Sequence, residues 1–297
     1  MKKIRIGTRG SRLALWQAEY TKAKLEAIDV KVELIIIKTK GDKIQHLGFD
    51  KLEGKGFFTK EIEDSLLRGD IDMAVHSMKD MPTTSADGLA ITAVSYRENP
   101  ADWMLVRHDS TENIIMKVKK GGIVGTSSAR RKAMVRHFRP DVTLRDIRGN
   151  VPTRIEKLRS GEFDAILLAA AGVSRLELDL NDLHILKLNP KEFVPAPAQG
   201  VLAWQTTADD LETRRILKKL HQSKVSIVTN VERKILKLLG GGCHTPFGAY
   251  CERDDLGHYH VYAAMAETWE SDLKSVQVSS STSFNLAEEV LKKLEEA

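Results

Sequence analysis

Two pairs of short stretches in the 297-residue chain match each other, and they occur in the same order. Ile6-Gly7-Thr8-Arg9-Gly10-Ser11-Arg12 agrees with Val124-Gly125-Thr126-Ser127-Ser128-Ala129-Arg130 at the glycine, the threonine and the closing arginine. Further on, Leu67-Arg68-Gly69-Asp70-Ile71-Asp72 resembles Leu158-Arg159-Ser160-Gly161-Glu162-Phe163-Asp164. The first pair falls at strand-to-helix junctions and the second at helix-to-strand junctions. Their order predicts two lobes of similar topology with a cleft between them.

The patterning around these stretches alternates between the two periods. Ile4–Thr8, Val32–Ile37 and Ile71–Val75 read as strands, with helices over Ser11–Ile28 and Phe58–Arg68. Val32–Ile37 is expected to be a buried strand. The alternation resumes after Pro100: strands Ile123–Gly125, Val142–Ile147 and Ala165–Ala169, helices Ser128–Phe138 and Pro152–Leu158. This predicts α/β layers with largely parallel sheets. Asn99-Pro100 and the stretch Pro190–Pro197 are natural crossovers between lobes. After Gln222 the character changes to a helix over Ile227–Leu239, alternating strands around Tyr250, Tyr259–Met265 and Lys274–Val278, and a last helix over Asn285–Glu296. That segment reads as a small α+β domain. The stretch from Lys40 to Phe57 is long for a connection and reads as a lid or a disordered loop.

Composition removes several classes of function. Hydrophobic residues make up 42% of the chain and charged residues 29%, as in a soluble globular protein. No apolar run is long enough to span a bilayer, and Met1-Lys2-Lys3-Ile4-Arg5-Ile6 leads into a strand rather than a signal peptide. Two cysteines, Cys243 and Cys251, are too few for a disulfide framework or a multi-cysteine zinc site, so a cytoplasmic setting is expected. Charge is concentrated: residues 121–160 hold ten Lys/Arg against three Asp/Glu, a net +7 against +5 for the whole chain. Such a segment calls for an anionic partner or forms a solvated basic face.

No P-loop, GxGxxG, HExxH or GxSxG motif is present. His258-Tyr259-His260 lacks a nearby third ligand and reads as a surface pair rather than a metal site. Gly125-Thr126-Ser127-Ser128-Ala129-Arg130-Arg131 places a turn, hydroxyl caps and two guanidiniums at a helix start. That is either an anion site or an ordinary N-cap followed by surface arginines. Thr8-Arg9-Gly10-Ser11-Arg12 repeats the choice. His76-Ser77-Met78-Lys79-Asp80-Met81-Pro82 lies beyond the carboxyl end of a strand, where ligands of open α/β sheets bind. There Asp80 could act as an acid/base or shield a cation, with Lys79 on a carboxylate, or the two could form a salt-bridged turn. Cys243 follows three glycines, a setting suited to covalent attachment, whereas Cys251 sits in a strand and is expected to be buried and inert.

Taken together, these segments resemble the hydroxymethylbilane synthase (porphobilinogen deaminase) family. The matching runs are Arg9-Gly10-Ser11-Arg12-Leu13-Ala14-Leu15-Trp16-Gln17, Gly54-Lys55-Gly56, His76 to Asp80, Gly125 to Arg131 and Arg148-Gly149-Asn150-Val151. They continue through Pro195-Ala196-Pro197-Ala198-Gln199-Gly200 and Glu232-Arg233 to Gly241-Gly242-Cys243-His244-Thr245-Pro246-Phe247-Gly248, so the resemblance covers nearly the full chain. One departure is Ala198, where the family pattern has glycine before Gln199.

The resemblance implies two lobes like those of type II periplasmic binding proteins, plus a small α+β C-terminal domain. The expected division is 1–97 with 196–218, then 98–195, then 219–297. It further implies a dipyrromethane cofactor held by a thioether on Cys243, with Asp80 as the catalytic carboxylate. Lys79, Asp80, Ser128, Arg130, Arg131 and Arg154 match residues around the cofactor. Arg9, Ser11, Lys55, Arg148, Arg175 and Gln199 match residues around substrate and growing chain. The expected reaction is stepwise deamination and condensation of four porphobilinogens, ending in hydrolytic release of the linear tetrapyrrole. No metal, nucleic acid or membrane takes part, and a monomer suffices. Each ring adds an acetate and a propionate, which arginine forks bind bidentately. Two other readings stand beside it. A non-catalytic receptor for a polyanion would carry nothing on Cys243. A nucleic-acid-binding module would show strongly salt-dependent binding, although no aromatic platform interleaves the basic segment.

Overall fold

Asp72 and Asp164, which close the second pair of matching stretches, do the same structural work. Asp72 Oδ2 accepts the Arg5 backbone N–H at 2.7 Å, and the Asp72 N–H donates to the Arg5 carbonyl at 2.9 Å. Asp164 Oδ2 accepts the Ile123 N–H at 2.7 Å, and its own N–H donates to the Ile123 carbonyl at 2.9 Å. Each aspartate thereby satisfies a main-chain donor on the strand beside it. The sequence echo is a shared way of starting a parallel pairing.

The computed structural model describes residues 3–39, 59–241 and 245–297. The chain forms two units, Met1–Glu98 with Gly200–Ser226, and Asn99–Gln199 with Ile227–Ala297. In the first unit the sheet order is β2 (Lys31–Ile36), β1 (Lys3–Thr8), β3 (Met73–Ser77), β10 (Leu202–Thr207), β4 (Leu89–Val94). β1 runs parallel to β2 and β3, while β10 runs antiparallel to β3 and β4. In the second unit the order is β7 (Thr143–Arg145), β6 (Ile123–Gly125), β8 (Ala165–Ala169), β5 (Asp102–Arg107), β9 (Leu183–Lys187). β6 is parallel to β7 and β8, and β5 is antiparallel to β8 and β9. Order and direction are the same in both, so the two lobes expected from the echoes exist. The sheets are mixed rather than largely parallel, because a strand from outside each lobe's own βαβ run enters the fourth position.

Helices cover both faces of the first sheet. Ala18 and Leu25 of α1 (Arg12–Glu26) pack with Ile4, Ile6, Met73, Val75, Leu202 and Trp204. Ile62 and Leu66 of α2 (Lys60–Leu67) pack with Ile71, Ala74 and Leu89 on the other face. The Trp204 indole N–H donates to Thr21 Oγ1 at 2.9 Å, so the largest core side chain is also satisfied. β2 is half-exposed, not buried as expected, because it is the edge strand with β1 on one side only. β3 begins two residues later than its apolar run, since Asp72 makes the lateral bond described above.

The second unit carries α3 (Ala129–Phe138), α4 (Val151–Arg159) and α5 (Ala170–Leu176). The same unit includes the three-stranded antiparallel sheet β11 (Phe247–Arg253), β12 (Tyr259–Met265), β13 (Lys274–Ser280). Val231 and Ile235 of α7 (Ser223–Leu238), which follows α6 (Leu211–Lys218), and Val290 and Leu294 of α8 (Leu286–Glu296) pack against it. This sheet is tied to the lobe sheet at several points. Ala264 belongs to the same apolar cluster as Met104, Phe193 and Val194. A Cβ on Gly248 would come within 2.5 Å of the Val194 carbonyl, so glycine is required for that approach. Lys132 Nζ lies 5.1 Å from the ring centre of Trp269, in the β12–β13 connection.

Candidate functional site

In the first unit the polar residues of interest follow the carboxyl ends of β1 and β3. The side chain of Ser11 caps α1 by accepting the Ala14 N–H at 3.3 Å. Buried Thr8 donates Oγ1 to the Ala14 carbonyl at 3.0 Å, so the turn carrying Arg9 is held at both ends. After β3 the chain makes one 3-10 turn, Met78–Asp80. The Met78 N–H donates to the Val201 carbonyl at 2.9 Å, and the Met81 N–H donates to the Met78 carbonyl at 3.2 Å. Met78 and Met81 are both buried and anchor the turn like two pegs. Between them Lys79 is half-buried and Asp80 is exposed. Gln17 donates Nε2 to Ser77 Oγ at 3.0 Å and links α1 to this end of β3.

In the second unit the equivalent edge is richer in charge. Ser127 Oγ donates to the Ile147 carbonyl at 2.8 Å, and Ser128 Oγ accepts the Arg131 N–H at 3.4 Å as the cap of α3. Arg130 and Arg131 are buried, and they converge on Asp102, a fully buried residue at the start of β5 that no sequence motif singles out. Arg130 Nη1 lies 2.8 Å from Asp102 Oδ2 and donates to the Val194 carbonyl at 2.8 Å. Arg131 donates Nη2 to Asp102 Oδ1 at 2.7 Å and Nη1 to the Leu167 carbonyl at 3.0 Å. Gln199, also buried, donates Nε2 to Asp102 Oδ1 at 2.9 Å and to the Pro100 carbonyl at 2.7 Å. Burial pushes the Asp102 carboxyl up, but Arg130 and Arg131 more than reverse this and hold it well below the usual carboxylate range.

Arg148 and Arg154 extend the cluster. The Arg154 Nε donates to the Gly149 carbonyl at 2.7 Å. Gly149 has φ +115, and a Cβ there would meet Thr153 Cγ2 at 2.6 Å, so only glycine permits this turn. Asn150 caps α4 by accepting the Thr153 N–H at 3.0 Å, which fixes the helix turn bearing Arg154. Burial lowers the Arg154 guanidinium to about 10, and the positive charges of Arg131 and Arg148 add to the fall. Among the described residues no carboxylate raises it again. Arg175 is buried on α5, the helix that continues β8. Ser128, Arg131, Arg148 and Arg154 thus share one sheet edge, and a ligand carrying several carboxylates or phosphates would relieve the mutual repulsion of the arginines.

Glu232 is a second residue whose structural use was not foreseen, although its family motif was noted. Its fully buried carboxylate accepts the Ala198 N–H at 2.6 Å and the Cys251 N–H at 2.8 Å. Ala198 has φ +60, the left-handed conformation that explains why glycine is expected at this position. Cys251 is buried, as anticipated. His260 hydrogen-bonds Ser279 Oγ at 2.8 Å and Asp254 Oδ2 at 3.1 Å, and no group able to hold a metal occurs among the described residues. Lys55 and Cys243 lie outside the described residues. No helix among the described residues is long and apolar enough to cross a membrane.

The chain is similar to known proteins over most of its length. Residues 4–215 match the family model described as porphobilinogen deaminase, dipyromethane cofactor binding domain. A porphobilinogen deaminase of a Nitratiruptor species is 43% identical over 246 residues, 83% of this chain and 77% of that protein. One of Chloroherpeton thalassium is 39% identical over 292 residues, 97% of this chain and 91% of that protein. Likeness to solved structures is looser. The probable amino-acid ABC transporter extracellular-binding protein YtmK of Bacillus subtilis shows 14% identity and a TM-score of 0.46, over 81% of this chain and 98% of that chain.

Proposed function

The chain belongs to the porphobilinogen deaminase family, and from that premise we propose that Asp80 carries the chemistry while the arginines after β6, β7 and β8 hold the acidic primer and product. The reaction joins four porphobilinogens head to tail and releases hydroxymethylbilane. The observation that supports the assignment of roles is the arginine edge, where Arg154 is depressed by burial and by Arg131 and Arg148, and no carboxylate among the described residues raises it. Such an edge fits a dipyrromethane, whose acetate and propionate groups are anions of the kind it takes. When bound through Cys243, that group would supply the nucleophilic pyrrole carbon for the first substrate, each later substrate being joined to the ring added before it.

The chain's own residues do the rest. Arg148 and Arg154 bind ring carboxylates through guanidinium forks, and the N-cap of Ser128 offers a hydroxyl beside them. Arg130, Arg131 and Gln199 act from behind, because their polar groups are engaged by Asp102 and main-chain carbonyls. As the aminomethyl C–N bond of porphobilinogen breaks and ammonia leaves, positive charge spreads over the substrate ring. The Asp80 carboxylate stabilises it by accepting the ring N–H, and then takes the proton displaced when the new C–C bond restores aromaticity. Lys79 adds a cationic contact to the primer, Arg9 and Ser11 hold the incoming substrate's carboxylates, and Lys55 and Arg175 contribute further cationic contacts. Residues 219–297 form the segment that bears the attachment cysteine.

Intact-mass spectrometry tests the assignment. Active protein should carry an adduct equal to two linked pyrroles that Cys243→Ser abolishes. Asp80→Ala should keep the adduct and lose turnover. Active protein with bare sulfur refutes the proposal.

A further inference from the structure

A buried polar line runs through the first unit behind the turn that bears Asp80. Gln205, fully buried on β10, donates Nε2 to Glu63 Oε1 of α2 at 2.9 Å. Its amide oxygen is thereby left as an acceptor, and it lies 3.1 Å from His76 Nε2. The imidazole must be the donor in that contact, which makes His76 the Nε2–H tautomer. His76 is only 6% exposed and sits next to last in β3, where it pairs with Ala203 of β10. The register puts Gln205 beside Ala74, two residues back on the same strand face as His76.

Burial pushes the His76 imidazole down to about 4, and Arg9 adds to the fall against the Gln205 hydrogen bond. Among the described residues the charged groups that bear on it are Arg9 from the β1–α1 turn and, at one remove through Gln205, Glu63 from α2. At neutral pH the ring is uncharged. A neutral donor suits this place, since an imidazolium would add a second positive charge close to Arg9.

We infer that His76 is a positioning residue for the reaction: the Glu63–Gln205 pair sets its tautomer and ring plane, and the locked ring fixes the end of β3 from which Lys79 and Asp80 turn. This rests on the reading of Asp80 as the catalytic carboxylate. The line connects α2, β10 and β3, so it aligns three elements at the point where the 3-10 turn begins. Met78 and Met81 hold the turn's depth, and His76 holds its azimuth.

The test uses holoenzyme carrying its adduct. Nitrogen-15 spectra of the histidine rings, assigned with His76→Gln, should show a neutral Nε2–H tautomer at pH 7. Steady-state kinetics should show His76→Phe and Gln205→Leu lowering kcat about tenfold with KM changed less than about twofold, as loss of one aligned hydrogen bond predicts. His76→Gln, a permanently neutral donor, should return kcat to within about threefold of the parent. A protonated ring or an Nδ1–H tautomer at pH 7 overturns the inference, and so does a His76→Phe enzyme with parental kcat. If His76→Phe fails to fold, Gln205→Leu with parental kcat overturns the inference in its place. Asp80→Asn is measured alongside. Normal turnover in that variant removes the reading of Asp80 itself, an outcome distinct from any result at His76.

Discussion

Replacing Asp102 with alanine should be the most damaging single change in the second unit that leaves its apolar core intact. Arg131 and Gln199 donate to Oδ1 of this fully buried carboxylate at 2.7 and 2.9 Å, and the Arg130 guanidinium forms an ion pair with Oδ2 at 2.8 Å. Removing it strands two buried guanidiniums, although each keeps a main-chain acceptor at Val194 or Leu167. Breaking a buried ion pair from one side costs about 3–5 kcal/mol, and the retained carbonyl bonds place the loss near ~4 kcal/mol. That is a large part of the roughly 5–15 kcal/mol that holds a typical domain together. For a unit of this size it corresponds to a fall in Tm of roughly 8–16 °C. Asp102→Asn keeps the shape and one acceptor oxygen but no charge, and should lose about half as much.

Thermal unfolding followed by circular dichroism measures both variants. The pH dependence gives an independent check of the sign. The folded carboxyl is held below its unfolded value of 3.8, so its contribution is complete above about pH 4 and declines only as pH falls toward the depressed folded value. The gap between parent and Asp102→Asn should therefore stay constant from about pH 5 to 8 and narrow in stronger acid. If Asp102→Ala costs less than about 1 kcal/mol, the two guanidiniums are not held by this carboxylate and the reasoning fails.

His76 predicts acid sensitivity of its own. Its folded value of about 4 lies below the unfolded 6.5, so the unfolded chain binds the extra proton first and stability falls as pH drops from 6.5 to 4. The loss should approach ~3 kcal/mol, and denaturation of His76→Gln across that range should lack this component. Ala198→Gly should be neutral or stabilising by up to ~1 kcal/mol, because relief of the left-handed strain at φ +60 outweighs glycine's backbone entropy. A Tm lowered by several degrees would contradict it. Glu232→Gln should cost about 2 kcal/mol in the same assay, since its amide NH2 must face one of the two main-chain N–H groups now bound by the carboxylate.

Most of the local architecture is written in nearby residues. Ser11 and Ser128 cap helices within the stretches that offered hydroxyl caps, and the Asp72 and Asp164 echo marks the same pairing in both sheets. The crossing strands β5 and β10 were illegible for a physical reason. They are buried on both faces, so they lack period-2 alternation, and their partners lie far away in sequence. Asp102 and Gln205 were missed with them: nothing in Ala101-Asp102-Trp103 or Trp204-Gln205-Thr206 tells that distant arginines or a histidine will meet there. The family motifs named the arginines, but only the fold shows that Arg130 and Gln199 face inward to Asp102 while Arg154 stands against like-charged neighbours.

The fourth position of the first sheet belongs to a strand that begins at Leu202, whereas every strand of the second lobe's sheet lies between Asp102 and Lys187. On a ribosome, which releases the chain from its N-terminus, the later lobe can therefore close its sheet before the earlier one. Until β10 emerges, β3 and β4 present open edges that invite pairing with other nascent chains. A chain stopped near residue 199 would retain a finished second sheet and an unfinished first one, so truncation there should yield aggregates seeded by the N-terminal segment.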